Sequence, residues 1–390
     1  MAQRIYTGID IGTSHIKVMV AAPSESPGAP MQVLGTGIAT ARGLRHGYVV
    51  DAVEATRSVR EALARAKAAA KTPITAARIA IGGVGLEEVR SSADITLTAS
   101  GGVVTPRDVE RALRESEKRA SGKLVNRSVI HTIPLEFRID GNKVHGKPTG
   151  MQGTKLAVDT LIISILTQHY EDLLEIIDGA GIEVEGVIAS PLAAALVALS
   201  KQQRTAGVCL ANIGAETVSL IVYDDDIPVS IKVLSSGSAD VTNAIALSFQ
   251  IPMSEAESLK RGGVIGSEVP VRKLETLVTG QLKDLFTTIN THLKSIGRAR
   301  LLPAGIVLIG GGASAQNAAE IARTILKLPA AVGVLGGGAR SASSDASWAV
   351  AYGLCQWAYR EDSAERRTTL SEVLRNASDS VKKTFRSLLP

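Results

Sequence analysis

Two stretches about two hundred residues apart share one design, and that duplication constrains the fold more than any other feature of the chain. "GIDIGTSHIKVMVAA" (8–22) and "AGVCLANIGAETVSLIVYDDDIPVSIKVL" (206–234) each run an apolar strand into a polar residue, a glycine and a second apolar strand. Asp10-Ile11-Gly12-Thr13 and Asn212-Ile213-Gly214-Ala215 therefore each introduce one half of a two-fold repeat. Ile9, Ile11, Ile16, Val18 and Val20 have strand character. Between them, Gly12-Thr13-Ser14 places turn chemistry, backbone N–H groups and hydroxyls together. Such a hairpin can seat a phosphate on its amides while Asp10 holds a metal ion nearby. Taken alone, the stretch reads equally well as an ordinary hairpin with a polar tip.

A third glycine site lies in "AGIVLIGGGASAQNAAEIA" (304–322), where an apolar strand meets Gly310-Gly311-Gly312 and a helix is expected to follow. Glycines there let backbone pass close to a flat or phosphorylated ligand. One such turn says little; three in this order say much more. Elsewhere, residues 4–40 predict an antiparallel meander and 51–71 an amphipathic helix with Asp51 at its start. A compact insert follows, with a strand over 90–99 and a helix over 105–120 opened by Thr105-Pro106. Strands over 127–140 and 155–166 complete it. Residues 168–182 predict a helix stopped near Gly179 and Gly181.

Composition narrows the class. The 390 residues are 45% hydrophobic but only 3% aromatic, so the core must be built of Val, Ile, Leu and Ala. The formal charge is +5, and no basic run is interleaved with aromatics, which argues against a nucleic-acid partner. Cys209 and Cys355 stand far apart in apolar surroundings and read as reduced core thiols. The scattered histidines have no zinc spacing. A strand begins almost at once, so no signal peptide is expected, and no apolar run reaches the roughly 18–20 residues of a spanning helix. The expectation is a cytoplasmic protein, unless something else ties it to a membrane.

Two phosphate hairpins in duplicated halves plus a late Gly-Gly-Gly turn resemble the actin-like ATPase superfamily. "RGLRHGYVVDAVEATRSVREAL" (42–63), "VIHTIPLEFRID" with "PTGMQGTKLAVDTLII", and "VTNAIALSFQIPMSEAESLKRGGVIG" (241–266) resemble the FtsA family of actin-like bacterial cell-division proteins. The resemblance covers about residues 4–358. It implies an α/β, actin-like (duplicated ribonuclease-H-like) ATPase fold with an FtsA-type subdomain 1C insert of SHS2 kind. Its implied divisions are 1–83, subdomain 1C over 84–167, subdomains IIA and IIB over 168–358 (IIB about 237–303), a linker over 359–368, and a terminal helix over 369–390.

It also implies ATP and Mg²⁺ as cofactors. Asp10, Gly12, Thr13 and Ser14 match the first phosphate clamp, with Asp10 at the metal directly or through water. Asn212, Gly214 and Ala215 match the second clamp, and Gly310, Gly311 and Gly312 the adenosine turn. Glu257 and Lys260, three apart on one helix face, fall where the family contacts ribose and adenine. Gly237 belongs to the same nucleotide-binding set. By spacing alone, Glu257–Lys260 is an ordinary surface ion pair.

The chain departs from the family in one direction. Asn212 replaces the usual Asp, Ala244 ends a segment matching Val-Thr-Asn-Asp, and Ser190 stands where several actin-like ATPases are acidic. An amide lacks the charge that attracts Mg²⁺, and no residue in the motifs is an obvious base for activating water. No catalytic residue is assigned; nucleotide binding with at most slow hydrolysis is expected. The implied role is to polymerise on the cytoplasmic membrane and tether FtsZ filaments there during division. At the site where the family takes the FtsZ tail, the helix around Thr279-Gly280-Gln281 lacks the Glu-Pro/Ala-Arg pattern that many relatives carry. A PilM-like pilus adaptor shares the architecture. A sugar-kinase-type phosphotransferase needs an acidic base beside a sugar pocket, for which no residue stands in a matching place.

The chain closes on "TLSEVLRNASDSVKKTFRSLLP" after the polar "REDSAERRTT". Val381, Phe385, Leu388 and Leu389 recur on one helical face, flanked by Lys382, Lys383 and Arg386. That pattern suits a helix lying in a membrane interface, or one packed on the protein's own body. FtsA relatives end in a membrane-targeting helix, so the resemblance favours the lipid surface.

Overall fold

The computed structural model describes residues 4–24, 29–98, 101–263, 269–315, 317–335 and 345–372. The first half opens with β1 (Tyr6–Ile11), β2 (His15–Ala22) and β3 (Gln32–Thr40), the expected meander. A small ribbon, β4 (Leu44–Arg45) and β5 (Tyr48–Val49), precedes α1 (Ala52–Ala70) and β6 (Ala76–Ile81). Asp51 caps α1 by accepting the Glu54 N–H at 3.1 Å.

The insert contains β7 (Glu87–Thr96), α2 (Pro106–Arg119), β8 (Arg127–Ile139), β9 (Asn142–Val144) and β10 (Lys155–Leu166), in sheet order β7-β10-β8-β9. Thr105 and Asp108 form a reciprocal capping box at the start of α2. Strand β7 begins three residues earlier than its own sequence suggests, because β10 pairs with it over its whole length. The long strands β8 and β10 serve two cores. Ile133, Leu161, Ile163 and Ile165 join the main core of the first half, whereas Phe137, Ile139, Leu156 and Val158 pack under α2.

After α3 (Thr167–Gly179), β11 (Glu183–Ala189) returns to the first sheet. The second half has α4 (Ser190–Ala198), α5 (Lys201–Ala206), β12 (Val208–Ile213), β13 (Val218–Asp224) and β14 (Ile227–Leu234). Three helices follow, α6 (Ser238–Phe249), α7 (Met253–Lys260) and α8 (Val271–Ser295). Then come β15 (Ile306–Ile309), α9 (Ala318–Leu326), β16 (Ala330–Val332) and α10 (Ala349–Glu372). The residues after β15 form a short 3₁₀ turn, Gly311–Ser314, and the helix waits until Ala318.

The duplication read in the sequence is a duplication of topology. The first sheet has the order β3-β2-β1-β6-β11 and the second β14-β13-β12-β15-β16. In each, three antiparallel strands are followed by two parallel ones. Both hairpins thus occupy the same place, at the end of the central strand. Parallel neighbours β6 and β15 also end there, which is where ligands of open α/β sheets gather.

One expectation needs correction. The polar segment 359–368, read as a linker, continues α10. Two of its carboxylates, Glu361 and Asp362, have partners in the body of the protein. Glu361 pairs with Arg78 of β6 at 2.7 Å and accepts the Trp357 indole N–H at 2.8 Å. Asp362 pairs with Arg4 at 2.8 Å and accepts the Tyr6 hydroxyl at 2.7 Å. Partners distant in sequence turn a charged run into the continuation of a docked helix. The proposed membrane residues Val381, Lys382, Lys383, Phe385, Arg386, Leu388 and Leu389 lie outside the described residues. Among the described residues, no helix is long and apolar enough to cross a membrane.

Candidate functional site

The two halves face each other across a cleft of about 1200 Å³. All of the positions singled out for a nucleotide line it: Asp10, Gly12, Thr13, Ser14, Asn212, Gly214, Ala215, Gly237, Glu257, Lys260, Gly310, Gly311 and Gly312. The local geometry of the two hairpins is the same. Gly12 N–H donates to the His15 carbonyl at 3.2 Å, and Gly214 N–H donates to the Thr217 carbonyl at 2.9 Å. Each turn therefore closes on its own glycine amide, and Thr13, Ser14 and Ala215 of the two turns line the cleft.

Asp10 sits half-buried at the end of β1, opposite Lys17 of β2. Loss of water pushes its carboxyl up to about 6, against the opposing pull of the Lys17 ammonium. Burial in turn lowers the Lys17 ammonium, with Asp10 and Asp345 acting to raise it. Lys17 donates to the Ser347 carbonyl and lies 5.4 Å from the centre of the Trp348 ring. Sequence reading passed over Lys17. Its signal was strand alternation, which places residues 15 and 17 on the cleft side and Ile16 and Val18 in the core.

On the second half, α6 starts directly on its hairpin. Ser238 N–H donates to Gly214 O at 2.9 Å and Ala239 N–H to Ala215 O at 2.8 Å, with Gly237 between. Asp240 reaches back to the Gly237 N–H at 3.0 Å and the Ser236 hydroxyl at 2.8 Å. Glu257 and Lys260 of α7 pair at 2.6 Å, and the Lys260 side chain is only 13% exposed. Lys260 also donates to Ser238 O at 3.1 Å and Thr242 Oγ1 at 2.8 Å, so the pair ties α7 to the first turn of α6. Burial alone would raise the Glu257 carboxyl, but Lys260, Thr242 and Arg261 more than offset it and keep it below the usual carboxylate range. This is a part of the cleft wall, not a free surface pair.

Gly310 closes β15 with φ of 85°, and Asn212 lies against it. Among the described residues, Gly311 meets nothing within 4 Å where a side chain would stand, and it lines the cleft. Ser190 lines the cleft beside Gly82. Ala244 does not line it; the carboxylates lining that side of the cleft are Asp240, Glu257 and Asp284. Among the described residues no cluster of three or more His, Cys, Asp or Glu could hold a metal alone. The site nevertheless suits a phosphate-bound Mg²⁺. Such an ion keeps several waters and takes one or two carboxylates plus phosphate oxygens, and Asp10 beside two amide turns offers that set. When bound, Mg²⁺ would supply charge neutralisation for the phosphates.

Comparison with known proteins follows the same lines. The family model described as "Cell division protein FtsA" matches residues 209–353, and "SHS2 domain inserted in FTSA" matches residues 83–164. Together they span more than half of the chain. The Cell division protein FtsA of Pseudomonas aeruginosa is 26% identical over 352 residues, covering 85% of this chain and 83% of that protein. That of Streptococcus pneumoniae is 28% identical over 343 residues, covering 82% and 73%. Among solved structures, a chain of the PilM-PilN type IV pilus biogenesis complex superposes with a TM-score of 0.67 at 20% identity, covering 90% of this chain and 97% of that one. MreB5 of Spiroplasma citri bound to ADP gives 0.52 at 13% identity, covering 96% and 99%. These two likenesses bear on the fold, which is actin-like. With its duplicated hairpins, its SHS2 insert and relatives matching across most of its length, the chain belongs to the FtsA family of actin-like cell division proteins.

Proposed function

We propose that this protein binds ATP with Mg²⁺ in the cleft, assembles with itself on the cytoplasmic face of the membrane, and tethers FtsZ there through its C-terminal tail. The observation carrying the nucleotide reading is the pair of matched turns, closed by Gly12 and Gly214, on either side of one cleft. Phosphate oxygens would take the turn amides, Asp10 would orient a metal-bound water, and Glu257 with Lys260 would meet the ribose and adenine. With Asn212 in the second turn and no assigned base, hydrolysis is slow. Phosphate release at the pace of a vigorous ATPase would overturn that part.

Asp10→Asn tests the site directly. Removing the charge while keeping the shape should weaken Mg²⁺-ATP by about tenfold or more, because hydrogen bonds to charged groups contribute about 1.5–3 kcal/mol. Titration of a fluorescent ATP analogue with and without Mg²⁺ reads the effect. Unchanged affinity would remove Asp10 from the metal. Capture of an FtsZ C-terminal peptide, set against pilus-assembly components, separates the division role from a PilM-like one. Subdomain 1C (84–167) is proposed as a contact between subunits.

The membrane role rests on the sequence of residues 369–390. Four large apolar side chains entering the interface contribute about 6–8 kcal/mol gross, and each Lys or Arg near anionic lipid about 1 kcal/mol. One helix then binds reversibly, and a filament displaying many binds firmly. Phe385→Glu places a charge in the apolar stripe. It should release the protein from anionic vesicles in co-sedimentation, with nucleotide affinity unchanged. Undiminished co-sedimentation would overturn the membrane reading.

A further inference from the structure

We propose that Glu216 is a positioning residue that latches the second hairpin to the first half of the molecule and so sets affinity for a polyphosphate chain spanning both turns. This rests on the nucleotide reading of the cleft. Glu216 lies in the turn between β12 and β13, next to Gly214 and Ala215. Its carboxylate Oε2 accepts the His46 backbone N–H at 2.6 Å, and the His46 Nδ1 lies 3.3 Å from the Glu216 carbonyl oxygen. His46 belongs to the turn of the β4–β5 ribbon, in the other half.

That ribbon turn has little slack. His46 and Gly47 adopt φ of 50° and 88°. A Cβ on Gly47 would stand 2.3 Å from Gly83 Cα, so the turn is seated directly on the loop after β6. The His46 carbonyl accepts the Val84 N–H at 3.3 Å. The donor offered to Glu216 is thus fixed to the first half, whereas the α6 contacts described above fasten the same hairpin within the second half. Glu216 is half-buried, and a charge-assisted hydrogen bond partly shielded from water is stronger than a neutral one. The contact fixes the separation of the two turns. A ligand that touches both turns gains from that separation, and a ligand with a single phosphate gains little.

The test compares ATP with AMP. Glu216→Ala should bind Mg²⁺-ATP about tenfold more weakly and AMP within about twofold of the parent. Glu216→Gln keeps an oxygen acceptor for the His46 N–H and should stay within about threefold for both. His46→Asn keeps the backbone donor and tolerates positive φ, so it should also stay close to the parent. Equal losses for ATP and AMP, or no loss for ATP, would overturn the proposal. A parent protein that binds no nucleotide would bring down the cleft reading, and amide exchange of the ligand-free protein then judges the latch on its own. The His46 amide should exchange at least about tenfold faster in Glu216→Ala; an unchanged rate would overturn the latch.

Discussion

Gly311→Leu should fold as the parent does and lose nucleotide binding by more than about a hundredfold, while Gly310→Ala should lose both binding and stability. These adjacent glycines serve different purposes. At Gly311 a Cβ meets nothing within 4 Å among the described residues, and the position lines the cleft, so a leucine occupies ligand space without disturbing them. At Gly310 φ is 85°, and a Cβ would lie 2.4 Å from Asn212 Oδ1 and 2.6 Å from the Ile213 carbonyl oxygen. Alanine there strains the backbone and pushes the ends of β12 and β15 apart, at a cost of about 2–4 kcal/mol. The turn closed by Gly214 moves with them. Thermal unfolding and titration of a fluorescent ATP analogue read the two effects separately. Parent-like binding by Gly311→Leu would mean that the nucleotide does not lie in this cleft, and an unchanged Tm in Gly310→Ala would mean that the strand ends are not tightly joined.

Acidification should destabilise the protein through His131, by about 2 kcal/mol at pH 5 and about 3 kcal/mol once the pH falls below 4. His131 projects from β8 into the junction between the insert and the first sheet, where it is 4% exposed. Its Nε2 accepts the Ala189 N–H at 3.1 Å, and its ring lies 5.7 Å from that of Trp357. The neutral ring therefore carries its proton on Nδ1, which has no partner among the described residues. A second proton on Nε2 would point at the Ala189 N–H and break that bond. Burial accordingly lowers the imidazole from 6.5 to about 4. Since the folded value lies below the unfolded one, the unfolded state takes up the proton first. Stability is complete above about pH 6.5 and declines as the pH falls toward 4. His131→Gln retains an acceptor for Ala189 without titrating. Urea unfolding at pH 7.5 and pH 5 should show a smaller acid loss in His131→Gln than in the parent; equal losses would exclude His131 as the cause.

Much of this fold is written in local chemistry along the chain. The two hairpins were legible because β-branched alternation and a glycine turn are short-range signals, and their recurrence across the chain implied two equivalent halves. Asp51 and Thr105 announced helix starts through hydrogen bonds that span only three residues. Three glycine-containing stretches of the cleft lining were legible as separate motifs, each within its own stretch, whereas Gly237, Glu257 and Lys260 were singled out only by resemblance to a family.

Whatever depends on a partner from elsewhere in the chain had to wait for the tertiary structure. The extension of α10 through a charged run depends on Arg4 and Arg78, which lie nearly three hundred residues or more before it. The division of β8 and β10 between two cores follows from where the insert sits on the first sheet, which a strand pattern does not encode. His131 looked like one more scattered histidine until Ala189 and Trp357 closed around it. Lys17 stood within reach of strand alternation and Asp240 bonds inside its own turn, but Glu216 gained its place only because folding brings the two halves face to face, and a sequence pattern reports only neighbours along the chain.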